Sequence, residues 1–444
     1  QARRSRGLFT HFEHEQEPYK KTLDIWVSRR FGNTRAQEYL TLVGRDFVQE
    51  IRSEGRNLSP EYREVMKKAD ALRREKRFFH WDLEFPEAFV DLRFNDWKPR
   101  ENQGFDAVLG NPPYSVDLDH HDKKYWRQRF GLTARPLNLA GIFCISALRH
   151  LSKDYTVGMI IPKSITFSRG WSPVTEAVVE NLNELIDASR AFQDVLLEQV
   201  VIVCGPHRKD TYLGGVFSDG EVVRRSVQKK STFAVSKVLV TGLHSSEAEL
   251  GAKLASSGLM FGDVTDTFRG LPWQRYLCDS GSEPLLGGKD LVRYGVRSGT
   301  GWLGLGPPDS SSKVQDLRRP KIMSQNIVAH IATPIPHIRI IAALDTVGVL
   351  TLDTVNNTVS TSTEWPLEVL LALLNSKAYS WYMYRFVYNQ AIRTMHFDSD
   401  YVGRLPLPNV SASKRQRCVE LVRLACALRD CDPARFQAAD AEID

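Results

Sequence analysis

The residues best suited to chemistry form the tetrapeptide Asn111-Pro112-Pro113-Tyr114, which directly follows the apolar segment Phe105–Gly110. In a chain of 444 residues, a specified tetrapeptide occurs by chance about once in several hundred cases. Ligands of open parallel sheets bind beyond the carboxyl ends of the strands. The turn therefore stands where a binding or catalytic site is expected.

The four residues suit an amino group on a planar ring. Two successive prolines fix the backbone and donate no hydrogen bonds, so the local carbonyls remain as acceptors, and the Asn111 amide oxygen adds another. Two acceptors that bond both hydrogens of an aromatic amine favour a pyramidal nitrogen with an available lone pair. The ring of Tyr114 is suited to stacking on a base that has left a nucleic-acid helix.

The elements that position this turn follow an α/β pattern. Short apolar segments at residues 78–81, 105–110, 157–161 and 200–204 predict strands. Between them, residues 138–151 and 174–185 have the periodicity of helices. Strands that alternate with helices indicate a largely parallel sheet, here half of a doubly wound domain.

The residues before this segment are polar and have helical periodicity, with Leu23, Trp26 and Val27 at helical spacing. Ser59-Pro60-Glu61 predicts the start of the last helix there, because serine caps helices well and proline suits the first turn. The basic stretch that ends at Arg77 favours a solvated helix face over a contact with DNA phosphates.

Residues 207–280 are punctuated by Ser and Gly and are predicted to connect two parts of the chain. Beyond them, residues 285–408 are rich in β-branched residues, with 338–352 as the clearest strand-forming stretch and a helix predicted at 367–386. Residues 411–439 predict one amphipathic helix.

The composition, 42% hydrophobic and 25% charged, is that of a folded protein and excludes disordered and collagen-like classes. The apolar runs fall far short of the ~20 residues of a membrane-spanning helix. Six cysteines without C-x-x-C spacing predict a reducing compartment. The net charge of +6 permits an anionic partner. Because the first residue is Gln1, we expect the chain to begin inside a longer polypeptide.

Around the tetrapeptide, the sequence resembles the N6-adenine-specific DNA methyltransferases of restriction–modification and related phage-defence systems. The apolar segment and the tetrapeptide look like the catalytic strand and loop of that family, and residues 78–87 resemble its large type II (fused restriction-methylase) and phage-exclusion members. Residues 138–151, 158–162 and 192–203 resemble later motifs in the family's order.

The C-terminal third resembles the DNA-recognition domain of the same family, in pieces at residues 286–294, 319–322, 373–377 and 405–408. The resemblance implies an α/β fold: part of a Rossmann-like S-adenosylmethionine-dependent methyltransferase sheet, with a helical N-terminal segment and a mixed α+β target-recognition domain. The expected parts are a helical segment (1–77), the catalytic half (78–206), a connecting region (207–280), the target-recognition domain (281–410) and a C-terminal helix (411–444).

The resemblance also implies roles for individual residues. Asn111 and the backbone carbonyl of Pro112 would accept hydrogen bonds from the target amine, and Tyr114 would stack on the flipped adenine. Phe192 would contact the other side or edge of the base, and Pro113 is the remaining substrate-binding residue. The implied methyl donor is S-adenosylmethionine, the partner is double-stranded DNA and the compartment is the cytoplasm of a prokaryote. No metal and no membrane are implied.

The sequence departs from the family before residue 78. The family places there a strand and a glycine-rich turn that cradle the cofactor, followed by an acidic residue, and residues 1–78 lack this pattern. The G-x-G-x-x-G at residues 299–304 does not run into a helix and predicts a loop. Asp82 or Glu84 is a candidate cofactor-side carboxylate, with a solvated carboxylate as the alternative. A cofactor-binding or nuclease region on the same or a separate chain is therefore an expected partner.

Weaker features have ordinary interpretations. The acidic and histidine cluster at residues 117–122 has metal-ligand chemistry, but its near-contiguous residues favour a mobile, solvated loop. Residues 287–290 lack the rest of a P-loop and predict a turn. Basic pairs at residues 208–209, 224–225, 229–230 and 318–319 together favour DNA. Four tryptophans are predicted to be structural: Trp273, Trp302, Trp365 and Trp381.

Three functions remain open at this point. The first is a site-specific adenine methyltransferase. The second is a catalytically inactive or split DNA-recognition subunit. The third is a protein-glutamine methyltransferase, a class that shares the tetrapeptide; the long region after Leu285 disfavours it, because a small protein substrate requires no separate recognition domain.

Overall fold

The computed structural model describes residues 2–53, 59–94, 96–114, 118–131, 138–149, 151–192, 196–206, 209–281, 283–297, 301–304, 312–392 and 395–444. The chain forms two compact units: residues 1–161, 173–181 and 203–208 make the first, and residues 162–172, 182–202 and 209–444 the second. The structure is mixed α/β, as predicted. In this part of the chain, none of the helices combines the length and the apolar character needed to span a bilayer.

The first unit begins with helices, as predicted, around a small apolar core that includes Ile25, Tyr39 and Val65. Ser59 occupies the N-cap position with an extended backbone and Pro60 is the first helical residue, which confirms the predicted start. The helices span Ala2–Ser28, Ala36–Val43, Phe47–Arg52 and Pro60–Lys76.

In the aromatic segment that follows, residues 78–80 have no regular secondary structure, although a strand was predicted at 78–81. Trp81–Glu84 and Pro86–Phe89 are short helices. The ring of Phe105 packs edge-on against those of Trp81 and Phe85, with ring centroids 5.5 and 5.4 Å apart. Here the aromatic rings, which favour strands in isolation, pack on one another, so the strand prediction was wrong. A two-stranded pair, Val90–Asp91 with Asp96–Trp97, comes next.

The strand Phe105–Gly110, which carries the tetrapeptide, is confirmed. It pairs in parallel with Leu151–Pro162, with Val108 opposite Val157, and among the described strands it lies at an edge. Parallel strands need a crossover connection, and this one contains the helices His120–Phe130 and Leu139–Arg149. The second helix buries Ala140, Gly141, Ile142, Cys144, Ile145 and Ala147.

The second unit contains further α/β structure. Strand Leu182–Ser189 pairs in parallel with Thr211–Ser218, which pairs in an antiparallel manner with Glu221–Lys229. Residues 207–280, predicted as a connection, thus include the last two of these strands, and two further strands, Thr265–Arg269 and Leu277–Cys278, follow within the same range. The helix Ser172–Asn181, whose residues 173–181 belong to the first unit, ends before the predicted residue 185. The reason is that Leu182 and Leu185, fully buried, belong to a strand whose partner is distant in the sequence.

The remaining part of the second unit is mixed α+β, as predicted. An antiparallel sheet has the strand order Ala342–Asp345, Lys321–Gln325, Val355–Ser360 and Thr265–Arg269. A smaller sheet has the order Leu277–Cys278, Trp302–Leu303, Glu283–Leu286 and Leu350–Thr351. Short pairs join Leu291–Val292 to Gly295–Val296, Ile327–Val328 to Met395–His396 and His330–Ile331 to His337–Ile338. The helices are Ser231–Ser236, Ser245–Leu254, Ser312–Leu317, Leu367–Asn375, Lys377–Tyr382, Ser399–Val402, Ala412–Leu428 and Pro433–Ile443.

Three long elements predicted here are broken in the structure. Residues 338–352 form separate short strands. The helix at 367–386 is interrupted at Ser376, whose side chain accepts a hydrogen bond from the Tyr379 amide, 3.1 Å away. The C-terminal helix is two helices, because Asp432 caps a new helix whose first residue is Pro433. Both helix breaks have a capping signal, which outweighed the continuous apolar periodicity.

Candidate active site

The tetrapeptide leaves the carboxyl end of the strand Phe105–Gly110, as predicted. The side chain of Asn111 is exposed, Pro112 is buried, Pro113 is exposed and Tyr114 is half-buried. A buried proline fixes the backbone beneath an exposed amide. The arrangement therefore presents the Asn111 amide outward on a rigid base.

Tyr114 is held at both its hydroxyl and its backbone. Its hydroxyl donates to the carbonyl oxygen of Ile160 at 3.3 Å. Its own carbonyl oxygen accepts from the side-chain amide of Asn138 at 3.0 Å. The Asn138 side-chain oxygen also accepts from the Ala140 amide at 2.9 Å, so Asn138 caps the helix Leu139–Arg149.

Asn138 thus links the helix to the loop, and sequence reasoning did not find this role. The available signal was an asparagine at the start of a predicted helix. Burial raises the pKa of the Tyr114 phenol. A phenol is neutral at physiological pH even without this shift, so the ring is uncharged.

A cavity of about 400 Å³ lies beside the turn and is lined by Asn111, Pro112 and Pro113. This volume falls in the range of about 300–1,000 Å³ that small-molecule sites occupy. Its other walls are largely apolar: Trp81, Phe105, Ala107, Val108, Leu109, Gly110, Phe143, Ser146, Ala147 and Met159. Leu109 is 83% exposed and Phe143 is 46% exposed. The arrangement suits a flat, apolar guest whose polar edge meets the Asn111 amide.

The other predicted site residues lie outside this cavity's lining. Phe192 belongs to the second unit, where it is partly exposed after the strand Leu182–Ser189. Asp82 is exposed within the short helix Trp81–Glu84, so its predicted position at the end of a strand was wrong. Glu84 forms an ion pair with Lys20 at 2.9 Å.

The acidic and histidine cluster begins a helix, so the predicted loop was wrong here, although Asp117 lies outside the described residues. Asp119 caps this helix by accepting from the Asp122 amide at 2.8 Å, and both carboxylates pair with Lys76. These contacts use the carboxylates structurally. Among the described residues, no group of three or more acidic, histidine or cysteine side chains is placed to hold a metal.

The glycine segments are turns where they are described. Residues 288–290 form a single helical turn, closed by a hydrogen bond of 2.7 Å from the Gly287 amide to the Asp290 carboxylate. The glycine motif at residues 299–304 lies partly outside the described residues, while Trp302–Leu303 is a strand. Of the four tryptophans, Trp273 and Trp365 are buried, as predicted.

The basic pairs are only partly described, because the structure does not describe the side chains of residues 208, 224 and 225. Arg318 and Arg319 pair with Glu283 and Asp316, at 2.6 and 3.7 Å. Both arginines remain about half exposed. Such surface pairs are weak and leave the arginines available to phosphates.

Two regions of the chain match known families. Residues 21–192 match the Eco57I restriction-modification methylase family, and residues 283–407 match the TaqI-like C-terminal specificity domain. Together, the two matches support a restriction-modification DNA methyltransferase. The resemblance seen in the sequence is therefore confirmed. The tetrapeptide lies within the methylase match.

Several solved structures resemble parts of this chain. The type IIL restriction-modification enzyme MmeI, in complex with DNA, is 11% identical with a TM-score of 0.46, over 77% of this chain and 53% of that one. The type IIG restriction endonuclease BpuSI is 11% identical with a TM-score of 0.31, over 90% and 61%. A nuclease-deletion mutant of the type ISP enzyme LlaGI, in complex with a DNA substrate mimic, is 9% identical with a TM-score of 0.40, over 84% and 36%.

The chain thus spans only about half to three-fifths of the first two of these proteins, 53% and 61%. No curated protein matches it.

Proposed function

We propose that this chain contributes the catalytic and target-recognition residues of an N6-adenine-specific DNA methyltransferase in a restriction–modification or phage-defence system. S-adenosylmethionine is the proposed donor, and a flipped adenine in double-stranded DNA is the proposed acceptor. The proposed fold is half of a Rossmann-like methyltransferase sheet. The observation that carries the proposal is the rigid Asn111-Pro112-Pro113-Tyr114 turn beside a cavity of about 400 Å³.

In this proposal, the turn holds the target amine. The Asn111 side-chain oxygen and the Pro112 carbonyl oxygen each accept one N–H of the adenine amino group. Both hydrogens are then directed toward the turn, so the nitrogen lone pair points away from it. The amine is thereby oriented for attack and its lone pair is drawn out of the ring.

The aromatic residues hold the base itself. Tyr114 stacks on one face of the adenine, because its ring is neutral and its backbone is fixed by Asn138. Phe192 is partly exposed and is proposed to contact the other side of the base. A base outside the duplex loses its stacking partners, and these rings replace them.

Target recognition is assigned to the TaqI-like specificity region, residues 283–407. Its exposed arginines Arg318 and Arg319 are placed to contact phosphates, which would position the duplex without reading its sequence. The net charge of +6 is consistent with DNA as the partner.

The lining of this cavity does not by itself provide the polar partners that S-adenosylmethionine needs. The cavity lining contains Asn111 and Ser146 as its polar side chains and no carboxylate, whereas ribose hydroxyls and an amino-acid group need several polar partners. When bound, this cofactor supplies an electrophilic methyl group.

We infer that a further α/β segment, on the same polypeptide or on a second chain, supplies the missing partners. The strand Phe105–Gly110 lies at a sheet edge, and Leu109 and Phe143 are exposed beside it. Edges and apolar faces of this kind are normally covered.

The test uses the native polypeptide that contains this chain, with Asn111→Ala as the variant and the exposed Asn102→Ala as the matched control. Loss of one preorganised hydrogen-bonding group typically costs about 100-fold or more in rate. Asn111→Ala should therefore lower single-turnover methyl transfer to DNA about 100-fold, with DNA affinity within about threefold of the parent. Asn102→Ala should be unaffected.

Near-parental methyl transfer by Asn111→Ala would contradict the assigned mechanism. A parent that binds DNA in a salt-dependent manner but transfers no methyl group would instead support the DNA-recognition subunit. A parent that methylates a glutamine-containing peptide and not DNA would support the protein methyltransferase.

A further inference from the structure

The second unit contains a buried ionic cluster centred on Lys163, which directly follows the strand Leu151–Pro162. Lys163 is 3% exposed. Its ammonium group donates to Asp187 at 2.6 Å, to Glu198 at 3.3 Å and to the carbonyl oxygen of Gln390 at 3.3 Å. Burying such charges is costly, and an apolar set of the same volume is often as stable. Stability alone therefore does not explain why these three charged side chains are buried together.

The two carboxylates stand at the two ends of the segment that contains Phe192. Asp187 lies near the end of the strand Leu182–Ser189, and its second oxygen accepts from the Ser189 amide at 2.9 Å. Glu198 directly precedes the next strand, Gln199–Cys204. The backbone amide of Lys163 also donates to the Glu198 carbonyl oxygen at 2.8 Å. Lys163 thus joins the end of one strand to the start of the next.

The same cluster reaches into the specificity region. The second carboxylate oxygen of Glu198 accepts from the Ile392 amide at 2.9 Å, while the Gln390 carbonyl binds Lys163. Both residues lie within the match to the specificity domain, and Asp187 lies within the match to the methylase. The cluster is therefore shared by the two functional parts of the chain.

The backbone at this contact is held in an unfavourable conformation. Asn389 and Gln390 have φ values of +51° and +58°, in the left-handed region. The Asn389 side chain is anchored by Thr166 at 2.8 Å and by the Leu239 carbonyl and Thr241 amide, each at 3.0 Å. Strained residues persist only where their surroundings hold them, and they are concentrated at functional sites.

We propose that Lys163, Asp187 and Glu198 form an ionic clasp that positions the Phe192 segment against the specificity region, so that correct target recognition and retention of the flipped base are coupled. This inference rests on the proposed function. The three residues are positioning residues, because Phe192 and not the clasp contacts the base. Ionic hydrogen bonds are directional, so they fix one geometry where an apolar contact would allow several.

The test uses the native polypeptide and a triple variant, K163M/D187N/E198Q. The asparagine and glutamine keep the oxygens that accept from the Ser189 and Ile392 amides, while all three charges are removed. The matched control neutralises the other buried lysine pair of this unit, in K321M/D345N. The asparagine that replaces Asp345 in this control keeps the oxygen that accepts from the Val347 and Gly348 amides. Glu198→Gln alone is the second variant, since it leaves the Lys163–Asp187 pair intact.

Two readouts distinguish positioning from folding. The first is the fluorescence of 2-aminopurine placed at the target base, which reports base flipping. The second is the ratio of methyl-transfer rates on the cognate site and on a site with one substituted base pair. The triple variant should bind DNA within about threefold of the parent, lose about tenfold or more in methyl-transfer rate and show a reduced specificity ratio. Glu198→Gln should show smaller losses of the same kind, and the control should match the parent in both readouts.

Parental rates, fluorescence and specificity in a folded triple variant would overturn the clasp. If the triple variant fails to fold, the Glu198→Gln variant tests the proposal in its place. Parental rates, fluorescence and specificity in Glu198→Gln would then overturn the proposed clasp as well. Equal losses in K321M/D345N would also overturn it, because the effect would then belong to buried charge in general. A parent that gives no methyl transfer and no fluorescence change refutes the proposed function instead.

Discussion

Asn138 offers the sharpest test of how the turn at residues 111–114 is held, because one side chain makes two separable contacts. Its oxygen caps the helix Leu139–Arg149, and its amide group donates to the Tyr114 carbonyl oxygen at 3.0 Å. Replacing an N-cap asparagine by alanine costs about 1 kcal/mol. Loss of the second hydrogen bond costs about 1 kcal/mol more. Asn138→Ala should therefore destabilise the local structure by about 2 kcal/mol in all.

Asn138→Ser separates the two contacts. Serine is an equally good N-cap, but its hydroxyl is too short to replace the amide at the Tyr114 carbonyl. The serine variant should therefore lose only about 1 kcal/mol. Hydrogen exchange of the amides in the helix Leu139–Arg149 measures this difference locally, without assuming two-state unfolding of the whole chain.

Both variants should slow methyl transfer by the same factor. If the full energy of the lost hydrogen bond, about 1 kcal/mol, is added to the activation free energy of methyl transfer, the rate falls about fivefold. Single-turnover kinetics with saturating DNA is the assay. A serine variant with parental kinetics, or helix protection that is equal in the two variants, would refute the reasoning.

Three further predictions concern other contacts. Tyr114→Phe should keep the methyl-transfer rate within about threefold of the parent, because the hydrogen bond that it loses is long, at 3.3 Å. Tyr114→Ala should lower that rate about tenfold or more, because it removes the stacking ring. Single-turnover rates check both predictions. Lys321→Met should destabilise the second unit by about 3–5 kcal/mol, and adding Asp345→Asn should recover much of this, as urea denaturation would show. The hydrogen bond from Lys76 lowers the pKa of Asp119 to about 2. The contribution of Asp119 to stability should therefore be constant above about pH 4, and it should be lost as the pH falls through 2. Asp119→Asn should abolish this pH dependence in acid titrations followed by circular dichroism.

The sequence predicted the strand Phe105–Gly110 and the turn that follows it because their signals are local. An apolar run followed by two prolines requires a strand that ends at a rigid turn, whatever packs around it. The same holds for the helix start at Ser59 and Pro60. In each case a short segment contained both the element and the residue that ends or begins it.

The failures have non-local causes. Leu182 and Leu185 fit a helical period, yet they belong to a strand because residues 211–218 pair with them. Residues 78–81 look like a strand in isolation, but the ring of Trp81 packs on Phe105 and the ring of Phe79 packs on Trp81. Tertiary contacts override propensity in both places.

The supporting residues of the site were missed for a similar reason. The ionic clasp joins residues near positions 163, 187, 198 and 390, and only the folded chain brings them together. A charged residue directly after an apolar strand, as Lys163 is, was the one local signal. Capping residues such as Asp432 could have been found from the sequence, because a capping aspartate followed by proline marks a helix start.

The central claim is that the Asn111 turn holds the amino group of adenine. The most direct measurement is nucleoside analysis by mass spectrometry, after the native polypeptide has acted on DNA with isotope-labelled S-adenosylmethionine. The account predicts labelled N6-methyldeoxyadenosine, which is absent from DNA treated with Asn111→Ala. Label found only on cytosine, or equal amounts of labelled adenine from the parent and the variant, would contradict the account.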